Sequence, residues 1–123
     1  LISDTENLVY EAVRDLDSSQ TYKDLLSDDV GEQIRAILSI SWHDDWRFAQ
    51  DVCFKYARHG NPDVRNISIA GLGHIARIHG AIEVCSVLEL VGELRRAGLG
   101  SGRIEDMFDD IMVFVARQGR REV

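Results

Sequence analysis

Apolar positions along this chain recur at intervals of three and four, and no segment alternates as a half-buried strand would. The clearest case is residues 61–80, NPDVRNISIAGLGHIARIHG. Asn61 suits the cap position, since its side-chain oxygen can accept from a free first-turn N–H. Pro62 suits the first helical position, where its missing N–H costs nothing. Asp63 stands at the positive end of the helix dipole, with Arg77 and His79 in the last turn at the negative end. Gly80 supplies the residue that tolerates a left-handed C-terminal cap. At about 100° per residue, Val64, Ile67, Gly71, Ile75 and Ile78 share one face, and Ile69, Leu72 and Ala76 a second. Asn66, Gly73 and Arg77 mark the narrow sector left over. A helix apolar on nearly every side needs neighbours on several sides, so this one is expected at the centre. Gly71 and Gly73 each cost roughly 1 kcal/mol relative to alanine inside a helix, which points to close backbone approach at both.

The same spacing predicts further helices. Residues 4–16 carry Leu8, Val9, Ala12, Val13 and Leu16, and residues 21–26 read as a short helical turn covering the open end of the helices after it. Residues 29–42 place Val30, Ile34, Ile37, Leu38 and Ser41 on one face. Residues 46–59 turn Trp46, Ala49, Cys53, Tyr56 and Ala57 inward. Residues 81–97 carry a stripe of Val84, Val87, Leu88, Val91 and Leu94. Residues 103–116 turn Ile104, Met107, Phe108, Ile111 and Val115 inward, and 117–123 read as a mobile tail. The joints are a few residues long, which makes successive helices antiparallel neighbours. Asp29-Val30 and Asp63-Val64 open two helices about one repeat length apart, and Ser101-Gly102-Arg103 opens a third. Two helices per interval of this size is the pattern of an α-solenoid.

With those residues in view, NPDVRNISIAGLGHIARIHG resembles the second helix of a HEAT repeat, with its Pro-Asp turn and following arginine. Together with DDWRFAQDVCFKYARHG before it and GRIEDMFDDIMVF after it, the stretch 28–115 is similar to small bacterial HEAT-like proteins. Members of that group include immunity proteins of polymorphic and contact-dependent-inhibition toxins. The resemblance implies an all-α fold, a short HEAT-like solenoid of antiparallel helix pairs, in one domain spanning 1–123. Residues 28–116 would form the repeats, and Arg65 would make an inter-repeat ion pair with an aspartate. Residues 1–27 lie outside the resemblance and read as an N-terminal capping segment that can adapt the protein to its own partner. The implied function is binding and neutralising a cognate toxin domain.

Composition narrows the partner. The chain has 123 residues, with 21 acids against 14 bases and a net charge of −7. That opposes nonspecific nucleic-acid binding, which needs a basic footprint. It is compatible with a basic protein partner, with plain solubility the favoured reading. Cys53 and Cys85 stand among apolar helix residues and read as buried free thiols of a reducing compartment. Neither belongs to a CxxC pair, so no zinc site and no cofactor is expected. No signal-peptide pattern and no apolar run of membrane-spanning length is visible. A cytoplasmic protein without a membrane partner is the expectation.

Three groups of residues can carry chemistry. His74 is either a base oriented by Asp109 or Asp110, or an imidazole bonded across the helix stack, and the second reading is favoured. His79 lies five residues on and points elsewhere, so the two histidines do not share a metal. Asp106, Asp109 and Asp110 are neighbours at i, i+3 and i+4. They suit the basic cleft of a toxin nuclease, or ordinary solvation with an internal pair such as Asp110–Arg77. In SWHDDWR, residues 41–47, Trp46 lies on a core stripe while Trp42 stands at a helix end and is the candidate anchor. One of Asp44 and Asp45 suffices as a helix cap, leaving a surplus acid. Arg77 stands near Gly73 with little bulk around it. The expected partner-binding set is therefore Trp42, Asp44, Asp45, Arg77, Asp106, Asp109 and Asp110, in a protein that binds and does not catalyse. The alternatives are a scaffold binding peptides, or a HEAT-like enzyme acting on DNA bases or bilins. Against the enzyme stand the acidic charge and the lack of a recognisable tetrapyrrole pocket.

Overall fold

The computed structural model describes residues 18–99 and 101–116. These residues are all-helical: α1 Ser18–Leu25, α2 Val30–His43, α3 Trp46–Tyr56, α4 Pro62–His79, α5 Val84–Arg96 and α6 Ser101–Ile111, closed by a π-helical turn at Met112–Ala116. The helix expected over 4–16 and the tail 117–123 lie outside the described residues.

The central helix has the ends its sequence dictates. Asn61 Oδ1 accepts from the N–H groups of Asp63 at 2.8 Å and Val64 at 3.3 Å. Gly80 closes the helix at φ 65°. Asn61→Ala should therefore lower stability by about 1 kcal/mol, read as a shift of the urea midpoint with unchanged slope. Helix α4 packs against α2, α3 and α6, as an all-round apolar pattern requires.

Contacts fix the directions of the helices. Ser41, near the end of α2, lies against Gly71, and its carbonyl accepts from His79 Nε2–H at 3.3 Å. Gly73 of α4 lies against Asp110 of α6, and the first turns of the same two helices meet at Arg65, Asn66, Gly102 and Arg103. Helices α2, α4 and α6 thus run side by side in one direction. Two bonds link the α3 and α5 segments. Gln50 Oε1 accepts from the Glu83 N–H at 2.9 Å, and Arg58 pairs with Glu93 at 2.7 Å.

The two glycines of α4 serve different neighbours. A Cβ on Gly71 would lie 2.8 Å from both Ser41 Oγ and Cys53 Sγ. Ser41 donates its single hydroxyl proton to Ile37 O at 2.8 Å, so the Cys53 thiol donates to Ser41 Oγ at 3.4 Å. Burial pushes that thiol up to about 12, which keeps the proton in place. A Cβ on Gly73 would meet Asp110 Oδ2 at 2.8 Å and Met107 Cα at 3.5 Å.

Several expectations change. Helix α1 makes two full turns instead of a short turn at 21–26. Its Leu25 carbonyl accepts from Gln33 Nε2 of α2 at 3.4 Å and Tyr56 Oη of α3 at 3.2 Å. Helix α3 ends at Tyr56, because the N–H groups of Arg58 and His59 bond back to Lys55 O and Tyr56 O in tighter turns. Helix α5 begins at Val84, three residues late, and its buried stripe is Val87, Leu90, Val91 and Leu94. Leu88, expected inside, is 55% exposed and Val84 is 41% exposed. Val84-Val87-Leu88-Val91 and Val87-Leu90-Val91-Leu94 are both proper helical stripes. The second one faces inward, with Val87 and Leu90 fully buried, and the Arg58–Glu93 pair lies on its Leu90 flank. Cys85 then falls on the side away from the stripe and is exposed, contrary to the reading of two buried thiols. The stripe expected over 103–116 is inward-facing, with Ile104, Met107 and Ile111 buried and Phe108 packed against the core in α6, but α6 ends at Ile111 and Val115 packs from the π-helical turn.

Candidate functional site

The end of the molecule where α2 and α4 finish brings Trp42, Arg77 and Asp110 together around His74. Trp42, in the last turn of α2, is 39% exposed. Its ring lies 6.0 Å from that of His74 on α4, tilted by 51°. One helical turn beyond His74, Arg77 donates from Nη2 to His74 Nδ1 at 2.6 Å. A guanidinium has no acceptor, so Nδ1 must be unprotonated and the ring proton sits on Nε2. Asp110 comes in from α6 over Gly73, near enough for its charge to act on His74.

His74 titrates below the usual histidine range. Burial is the main cause, the Arg77 charge adds to it, and Asp110 opposes both. The neutral ring is therefore the form the fold favours. Its stabilising contribution is present above the unfolded pKa of about 6.5 and is lost as pH falls through the lower folded value. His74→Gln keeps an acceptor for Arg77 but cannot titrate. Melting temperature should fall less for this variant than for the wild type between pH 7 and pH 5, as thermal melts at matched ionic strength will show.

The other expected site residues have separate surroundings. Asp45 caps α3, accepting from the Arg47 N–H at 3.1 Å. Asp44 ends α2, with its own N–H on Ile40 O at 3.1 Å. Burial raises the Asp44 carboxyl above its ordinary value, with the charge of His43 opposing. Asp109 is exposed on α6. Asp106 lies one turn earlier on α6, in an open groove of about 660 Å³ lined with Arg65, Asn66, Gly98, Leu99, Gly102, Arg103 and Glu105. The structure thus brings Trp42, Arg77 and Asp110 together around His74, and places Asp106 toward the opposite end of α4.

Two expected ion pairs are replaced. Arg77 spends a donor on His74, whereas Arg58 pairs with Glu93 at 2.7 Å. Arg65 donates from Nη1 to His59 O at 3.2 Å, in the joint that precedes α4, and no aspartate among the described residues pairs with it. Its Nε is enclosed without a partner. The groove was not anticipated, since it arises where two helices distant in sequence meet. The pairing of His74 with Arg77 was open to anticipation, because i and i+3 on a helix are neighbours.

Among the described residues, no group of three His, Cys, Asp or Glu side chains is arranged to hold a metal ion. No helix among them is long and apolar enough to cross a membrane. No family model, curated protein or solved structure matches this chain.

Proposed function

We propose that this chain is a non-catalytic protein-binding module, an immunity protein that occludes the basic active site of a cognate toxin domain. The observation that carries this reading is the exposed Trp42 ring at the surface shared with Arg77 and Asp110. Tryptophan contributes large apolar area and an N–H group to a contact, and it is enriched among residues that dominate binding energy. Asp110 at this surface and the net charge of −7 give the field the sign that attracts a cationic cleft. Opposite charge at the rim speeds encounter, and the central anchor slows release. The helix arrangement fits a HEAT-like solenoid of antiparallel pairs. It has α2, α4 and α6 in one parallel row, α3 and α5 in another, and α1 as the leading member.

His74 also argues for binding over acid–base work. The Nδ1 lone pair is taken by the Arg77 guanidinium and Nε2 carries the ring proton, so neither nitrogen is open to accept a proton as a base would.

The test is an affinity pull-down from the native cells, wild type beside Trp42→Ala and beside a variant with Asp44, Asp109 and Asp110 changed to serine. One stoichiometric basic protein should remain on the wild type through a high-salt wash, with a tenfold or greater loss of affinity for each variant. Equal retention by the serine variant would end the electrostatic part. Co-purifying nucleic acid or pigment without a protein partner would end the assignment to a binding module.

A further inference from the structure

The groove between the first turns of α4 and α6 is a second surface with its own chemistry, independent of the toxin-binding reading. Arg65 and Asn66 form one wall, Gly102, Arg103, Glu105 and Asp106 the other, with Gly98 and Leu99 at its edge. Gly98, at φ 74°, and Gly102 have nothing within 4 Å of an added Cβ, so the groove is open there. Two arginines share it. Neither makes an ion pair with a carboxylate among the described residues, although Glu105 and Asp106 belong to the same lining. The Nη1 bond to His59 O holds the Arg65 guanidinium in one orientation. An arginine already fixed by a backbone carbonyl loses less freedom when it takes up an anion.

We propose that this groove binds the carboxylate end of a peptide. A guanidinium offers parallel N–H donors that match a carboxylate bidentately, and Arg103 can supply them from the exposed wall. The Asn66 amide adds both a donor and an acceptor suited to a peptide bond. The two acids decide between anions. Glu105 and Asp106 repel a doubly charged phosphate more than a singly charged carboxylate. They also offer acceptors to the N–H groups of the peptide that carries that carboxylate.

The test is a titration of the full-length ¹⁵N-labelled protein, followed by the arginine Nε–H signals and the backbone amides of residues 102–106. The probes are N-acetyl-triglycine with a free carboxylate, the same peptide with an amidated end, and inorganic phosphate. Saturable shifts with the free acid, weakened about tenfold in Arg103→Gln and strengthened in Asp106→Asn, are expected. Arg103 is exposed, so its substitution leaves the fold intact. The proposal falls if the amidated peptide gives the same shifts, if phosphate saturates the site where the free acid does not, or if Arg103→Gln binds as tightly as the wild type.

Discussion

Gly71→Val should destabilise the fold by about 3 kcal/mol or more, at the upper end of what overpacking a core costs. The site has no room. An added Cβ already lies 2.8 Å from Ser41 Oγ and Cys53 Sγ. Both are short side chains, fully buried and bonded to each other, so neither can swing aside. Moving Ser41 also breaks its bond to Ile37 O, which leaves a buried hydroxyl to find another partner. Alanine at the same position sets about 1 kcal/mol of gained helix propensity against the same clash, and a net loss of about 1 kcal/mol should remain. Gly73→Ala should behave differently. Its Cβ meets the carboxylate end of Asp110, which can turn outward, and Met107 Cα at an ordinary 3.5 Å. Stability there should be unchanged or higher by up to about 1 kcal/mol. Urea midpoints of the three variants give the order directly. A Gly71→Ala protein as stable as Gly73→Ala would contradict the packing described for α2, α3 and α4.

Residues 61–80 show why much of this fold was legible. Cap, first-turn proline, terminal glycine and apolar periodicity all report on one helix and agree with one another. A helix apolar on nearly every side also announces its own centrality. Helix α5 shows the limit. Two overlapping stripes satisfy the same periodicity, and the choice between them rests on which face finds neighbours distant in sequence, such as Gln50 at the Glu83 N–H and Arg58 at Glu93, 35 residues away. No local pattern contains that information. The same holds at the candidate site. Trp42 and Arg77 were visible as exposed residues of the right type, but His74 becomes their meeting point only because α2 and α4 run in the same direction. Asp45 could be recognised as a cap. That Asp106 faces Arg65 and Arg103, away from His74, could not be read without the crossing of α4 and α6.

Leu72→Ala should cost about 3–5 kcal/mol, and Leu88→Ala should cost close to nothing. Both leucines lie on stripes that helical spacing assigns to the interior, yet Leu72 is fully buried and Leu88 is 55% exposed. Truncating a buried leucine removes its transfer energy and leaves a cavity whose cost depends on how far the surroundings collapse. Around Leu72 collapse is restricted, because α4 is held by α2, α3 and α6 at once. Gly71 and Gly73, on either side of it, already bring those neighbours to contact distance. A shift of α4 toward the void would pull one of these contacts apart, so the upper part of the usual range applies. For a chain of this size the loss corresponds to a melting temperature lower by on the order of 10 °C or more. At Leu88 the leucine side chain removed is mostly in water, and alanine keeps the helix propensity. Thermal melts of the two variants therefore separate the observed orientation of α5 from the one its sequence first suggests. A large loss at Leu88 would mean that the Val84–Leu88 side of α5 is the packed one.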